Sequence, residues 1–166
     1  MDLSLNAIAA YWHFWVGFAI VVALFWLTRL WSIPVKLPYE SRGQLVTKPE
    51  LRFYKSLLKA VQDDWEIFAM VRIADLLKVR AGHPQRRKWL NKILAKHIDF
   101  VLCDPTSLKP ICCIELDDRS HERPDRIERD IFVNRAFESA GIPLLRIATQ
   151  KQYRAREIRE LIDGVL

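Results

Sequence analysis

Apolar and polar positions divide the chain into two regimes. Residues 3–28 contain no Asp, Glu, Lys or Arg, and within them residues 8–27 form an unbroken twenty-residue run, IAAYWHFWVGFAIVVALFWL. At about 1.5 Å rise per residue, a helix of that length matches a hydrocarbon core of about 30 Å. The run therefore predicts a membrane-spanning helix. Beyond it the pattern breaks into short periodic segments. Thr47 suits an N-cap, Pro49 a first helical turn, and Glu50 the positive end of a helix. Leu51, Tyr54, Leu57, Leu58 and Val61 then recur at three- and four-residue steps, which predicts an amphipathic helix to about Gln62.

Residues 65–71 (WEIFAMV) read as a first strand. Residues 72–96 carry a short apolar run, then Gly82 and Pro84, then a helix over 85–95 with Trp89, Leu90, Ile93 and Leu94 as its inner face. Residues 97–103 (HIDFVLC) and 110–117 (PICCIELD) read as two strands joined by a turn-rich connection of hairpin length. A helix over 126–140 stops at Gly141, a strand follows over 143–148, and a helix over 153–162 closes the chain. The predicted fold class is α/β: a mixed sheet flanked by helices and preceded by a single transmembrane helix. Its expected organisation is an anchor over 1–31, a juxtamembrane linker over 32–47 carrying Pro34, Pro38 and Gly43, and a domain over 48–166.

Composition sharpens the division. The 166 residues are 51% hydrophobic and 28% charged with a net charge of +6, and every formal charge but that of Asp2 lies from Arg29 onward. A uniform globule, a disordered polyelectrolyte and a multi-span transporter are excluded. Trp12, Trp15, Trp26, Trp31 and Tyr11 cluster near the ends of the apolar run, where aromatic rings suit the headgroup layer. A secretory signal is the competing reading, but no basic residue precedes Arg29 and residues 27–34 (LTRLWSIP) offer no small-residue cleavage site. A buried core helix is the other alternative. Arg29, Lys36, Arg42 and Lys48 follow the run, so the positive-inside rule places the domain in the cytoplasm. Cys103, Cys112 and Cys113 are odd in number and lie in apolar strand sequence, as expected of small buried side chains in a reducing compartment.

Three acids interrupt the apolar strands: Asp99, Glu115 and Asp117. With a side-chain period of two, Glu115 and Asp117 share a face, and a hairpin partner brings Asp99 beside them. Clustered carboxylates in apolar surroundings are costly unless a divalent cation offsets their desolvation, and Mg²⁺ typically takes one or two carboxylates plus waters and phosphates. Exposed positions on a half-buried sheet remain the alternative.

After these acids come His121, Asp130, Asn134, Arg135, Gly141 and Arg146. The order of Asp, hairpin, Ile-Glu-Leu-Asp, His, a helix with Asp and Arg, then Gly and an apolar strand with Arg resembles the PD-(D/E)XK, restriction-endonuclease-like superfamily. It is similar to the branch of very-short-patch-repair endonucleases and, with its N-terminal apolar segment, to the bacterial domain of unknown function 2726 family. The resemblance covers about residues 37–147 and is strongest over 98–146. It implies a restriction-endonuclease-like mixed sheet core, with Asp99 and Glu115 as metal-binding acids and the Leu116 carbonyl as a further oxygen ligand. Glu50 stands where many members carry another acid.

Asp117 occupies the place of the usual lysine, which a carboxylate cannot replace as a donor. In the very-short-patch-repair branch an aspartate and a nearby histidine take part instead, so the resemblance makes His121, with an unperturbed pKa of about 6.5, the candidate acid or base, a loop histidine bonded to Asp117 or Asp130 being the alternative. The catalytic set is thus Asp99, Glu115, Asp117 and His121. Asp130, Arg135 and Arg146 are expected to support the acids or contact phosphate, or to form surface ion pairs. The implied activity is nucleic-acid phosphodiester hydrolysis with Mg²⁺ or Mn²⁺, on DNA ahead of RNA, at the inner membrane of a bacterium. The alternative function is an inactive relative that binds nucleic acid or a protein partner there.

Residues 76–98 carry Lys78, Arg80, Arg86, Arg87, Lys88, Lys92 and Lys96 without an acid. Arg86, Arg87, Lys88, Lys92 and Lys96 are the expected nucleic-acid contacts, with anionic lipid or plain solvation as alternatives. Trp89, on the apolar face of its helix, is expected to pack in the core.

Overall fold

The computed structural model describes the backbone of residues 3–31, 36–117 and 124–166, and the side chains of 11–30, 36–117 and 127–166. It divides into two compact units, Met1–Ser41 and Arg42–Leu166. The first unit contains helix α1 (Leu3–Trp31). Its stretch Tyr11–Leu30 is long and apolar enough to cross a membrane, and none of it is buried against protein.

The second unit contains α2 (Lys48–Val61), β1 (Glu66–Arg72), α3 (Ile73–Leu76), α4 (Arg86–Leu94), β2 (His97–Cys103), β3 (Pro110–Asp117), α5 (Pro124–Ala140), β4 (Leu144–Ala148) and α6 (Ala155–Asp163). Thr47 caps α2 through a reciprocal capping box with Glu50. Gly141, at φ +69°, takes the left-handed conformation that releases the chain from α5. The four strands lie in the order β1-β2-β3-β4. β1/β2 and β2/β3 are antiparallel, whereas β3/β4 are parallel through the α5 crossover.

Two apolar layers sandwich this mixed sheet. Phe53, Leu57, Phe100, Leu102, Cys112, Ile114, Ile158 and Ile162 form the core shared with α2 and α6. Ile73, Ile93, Ile98, Val101, Cys113, Val133 and Phe137 form the core shared with α3, α4 and α5. The adjacent cysteines Cys112 and Cys113 therefore point into opposite layers, both buried with free thiols.

The antiparallel strands exchange faces partway along. Ile67 and Ala69 pack with Phe100 and Leu102 in the first layer, but Val71 and Ile98 pack in the second. Residues two apart on a regular strand share a face. The exchange falls between the pairs Ala69↔Phe100 and Val71↔Ile98, where Met70 adopts a left-handed φ of 56°. Asp99 is the residue facing that twist.

The inner face predicted for the 85–95 helix holds in part. Ile93 is buried, but Trp89 is 38% exposed and Leu94 is 42% exposed. Trp89 is therefore a surface aromatic and not a core residue: α4 is nine residues long, and its first turn lies beyond the apolar layer.

Candidate active site

The β2/β3 ladder pairs Phe100 with Ile114 and has no paired residues beyond them toward Asp99 and Glu115. One more step of that register would set Asp99 opposite Glu115. Instead, the Leu116 N–H donates to Asp99 Oδ2 at 2.8 Å. A side-chain carboxylate thus takes a backbone donor that a continuing ladder would have used, which satisfies the amide and fixes the carboxylate. Both acids are half-buried.

Both carboxyls are held above their ordinary range. Burial raises the Asp99 carboxyl above its usual range, and the charges of Glu50 and Asp117 add to this, against the Leu116 N–H and Arg129. Glu115 is pushed up to about 7, first by burial and next by the Asp99 charge, with Arg146 and Arg129 opposing. Desolvation and like charge both disfavour the ionised pair.

A network of one arginine borders the pair. Arg146 on β4 stands level with Glu115 on β3. Its Nη1 donates to Asp117 Oδ1 at 2.8 Å, its Nη2 to Asp130 Oδ1 at 3.3 Å, and its Nε to Asn134 Oδ1 at 3.0 Å. Asp130 and Asn134 are four apart on α5 and so share a helical face. Asn134 belongs to the sequence pattern without a role assigned there, and Arg129, whose charge reaches both acids, had no signal in it.

Glu50 lies near enough for its charge to raise Asp99, but its Oε2 accepts the Thr47 N–H at 2.7 Å, so one oxygen is engaged in capping α2. His121 lies outside the described residues. Arg135 is not in the Arg146 network; it lines a groove between α5 and the segment preceding α4, together with Lys92. Arg86, Arg87 and Lys88 are exposed on the first turn of α4, and Lys96 is half-buried just after that helix.

Among the described residues no group of three or more His, Cys, Asp or Glu side chains is arranged to hold a metal ion. What they offer is a pair. One or two carboxylates completed by waters and substrate phosphates is the habit of Mg²⁺. Two half-buried acids, both raised by burial and one of them also by the charge of the other, suit that mode.

Fold and site together define a mixed α/β domain with an acid pair where its two central antiparallel strands part. A family profile described as "Protein of unknown function (DUF2726)" matches residues 42–165, and the chain belongs to that family. No curated protein and no solved structure matches it.

Proposed function

We propose that the protein is a membrane-tethered, divalent-cation-dependent nuclease that hydrolyses nucleic-acid phosphodiester bonds, a restriction-endonuclease-like enzyme near the very-short-patch-repair branch. The observation that carries this reading is the Asp99/Glu115 pair, with Asp99 fixed by the Leu116 N–H and Glu115 raised to about 7. Acids placed so that ionisation is costly are characteristic of sites that recruit a cation.

Asp99 and Glu115 would hold Mg²⁺ or Mn²⁺, with the Leu116 carbonyl as a third oxygen and Glu50 as a further acid near Asp99. When bound, the cation supplies polarisation of a phosphoryl oxygen and a bound water of lowered pKa. Arg146 and Arg129, whose charges already favour ionised Glu115, stabilise negative charge on the phosphate. Asp117, Asp130 and Asn134 hold the Arg146 guanidinium in place. His121 takes the proton from the attacking water. Helix α1 tethers the domain as a single span in a bacterial inner membrane, with Arg29 and the basic residues that follow on the cytoplasmic side.

One observation favours a second reading, a catalytically silent relative that binds nucleic acid or a protein partner. Asp117 replaces the lysine of the resembling superfamily and is tied to Arg146. The full-length protein in nanodiscs, incubated with single- and double-stranded DNA and RNA plus Mg²⁺ or Mn²⁺, separates the two. Cleavage that disappears in both Asp99→Ala and Glu115→Ala supports the enzyme. Cleavage of no substrate, or cleavage that survives Glu115→Ala, rejects it.

A further inference from the structure

A groove of about 690 Å³ lies away from the Arg146 network, between α5 and the chain from Leu77 to α4. Its size is that of a small-molecule site. On its floor Trp89 and Phe132 lie near-parallel, with ring centroids 6.3 Å apart and planes 15° from one another. Lys92 Nζ sits over both rings, 4.9 Å and 5.0 Å from their centroids. The ring of His83 stands edge-on to Trp89. His83 Nδ1 accepts the Gln85 N–H at 3.1 Å, which leaves Nε2 as the N–H donor of the neutral ring.

The charge around this floor is one-sided. Lys78, Arg80 and Arg135 line the groove with Lys92, and among the described residues Glu128 is the one acid in the lining. Trp89 is 38% exposed, although an aromatic of that size on a small domain is ordinarily covered. A flat apolar platform ringed by cations is complementary to a ligand that is itself flat, aromatic and anionic. An acyl chain or a simple anion would use only half of it.

We propose that this groove holds an unpaired nucleotide of a nucleic-acid strand, its base against Trp89 and Phe132 in place of the Lys92 ammonium, which moves to the phosphates alongside Lys78, Arg80 and Arg135. A paired base hides its face in the duplex stack, so the groove selects single-stranded segments; base-aromatic stacking tolerates any sequence. The choice of a nucleic-acid ligand rests on the reading of the acid pair as a phosphodiester site. Helix α5 links the two places: Phe132 and Arg135 face the groove, while Asp130 and Asn134 hold Arg146 beside Glu115. A strand seated in the groove runs along the helix that borders the acids.

The test reads binding without cleavage. Full-length protein in phosphatidylcholine nanodiscs, in EDTA, is titrated into fluorescein-labelled oligothymidylate, oligouridylate and a duplex of the same length, with anisotropy as the signal. Both single strands bind more tightly than the duplex. Trp89→Leu weakens the single strands by about five-fold or more and leaves the duplex unchanged, while Trp89→Phe retains most of the affinity. Arg80→Glu weakens single-strand binding and flattens its salt dependence. A protein that binds single strands through Trp89 yet cleaves nothing in Mg²⁺ supports the groove while rejecting the acid site.

Equal affinity for single strands and duplex, with Trp89→Leu silent, overturns the proposal. Loss of binding to phosphatidylserine vesicles in Arg80→Glu and Trp89→Leu, with oligonucleotide binding unaffected, also overturns it and makes the groove a lipid site. If Trp89→Leu lowers the melting temperature, Trp89→Phe and Arg80→Glu decide.

Discussion

Arg146 stands level with Glu115 across the parallel β3/β4 pair, yet its Nη1 bonds not to Glu115 but to Asp117, two residues along, at 2.8 Å. Asp117 is therefore not a free carboxylate at the place where the resembling superfamily has lysine. It aims a guanidinium past Glu115, and that charge lowers the Glu115 carboxyl against the larger effect of burial.

Arg146→Ala should then raise Glu115 further and move the onset of cation-dependent cleavage to higher pH. It should also cost about 1 kcal/mol of stability, because Asp117 and Asp130 are 44% and 47% exposed and water screens them once unpaired. Arg146→Lys should recover little, since one ammonium cannot serve three acceptors in the planar fork of a guanidinium. Activity-against-pH profiles and urea melts of the two variants check this. An unchanged profile in Arg146→Ala would mean that the guanidinium has no influence on the acid pair.

The raised Glu115 makes a stability prediction with a definite sign. Its folded value of about 7 exceeds its ordinary value of 4.5, so the folded protein holds the proton more tightly than the unfolded chain. The stabilisation is fully present below about 4.5 and is lost as pH rises through about 7, amounting to about 3 kcal/mol at most. Asp99 shifts in the same direction. In EDTA the domain should melt at a lower temperature at pH 8 than at pH 5.5, and Glu115→Gln should flatten that slope. Mg²⁺ should stabilise it more at pH 8 than at pH 5.5, since a cation binds the ionised carboxylates and releases their protons. Parallel slopes for wild type and Glu115→Gln would contradict the coupling.

The strands that carry the acids were legible because each is a short apolar run closed by turn residues. The expected bounds of 97–103 and 110–117 coincide with β2 and β3. Thr47 as an N-cap and Pro49 in the first turn likewise announced α2, and the 20-residue apolar stretch of α1 could be read by length alone. Three things were not legible. The left-handed Met70, and with it the exchange of sheet faces at Asp99, depends on tertiary packing that overrides a residue type with no preference for that conformation. The Arg146 to Asp117 bond joins residues 29 apart in sequence. Trp89 fits the apolar spacing of its helix, but periodicity cannot show that the helix ends its contact with the core before reaching it.

Glu50 offers a separable prediction, because one side chain has two candidate roles. Its Oε2 closes the capping box on the Thr47 N–H. Glutamine keeps that acceptor, so Glu50→Gln should leave stability within a few tenths of a kcal/mol, whereas Glu50→Ala should lose about 1 kcal/mol. Removing the Glu50 charge also removes one of the influences that raise Asp99, so Asp99 should ionise at lower pH in Glu50→Gln. If Glu50 is also a metal acid, the same variant weakens cation-stimulated activity without a stability change. Chemical melts combined with Mg²⁺ titration of the two variants distinguish the cap from the ligand.

The three thiols test the two-layer core directly. Cys103, Cys112 and Cys113 are all buried, and burial pushes the Cys112 thiol up to about 11 and the Cys113 thiol higher still. Attack on a disulfide reagent requires both thiolate and access, and these positions lack each. In the folded protein a thiol-specific chromogenic reagent should therefore react with none of the three on the timescale on which it labels a free cysteine in seconds to minutes. All three should react together on unfolding in denaturant, because Cys112 and Cys113 lie in opposite layers and only loss of the whole sheet frees both. Early release of one thiol while the others stay protected would mean that one apolar layer opens independently, and the sheet would then not be a single cooperative unit.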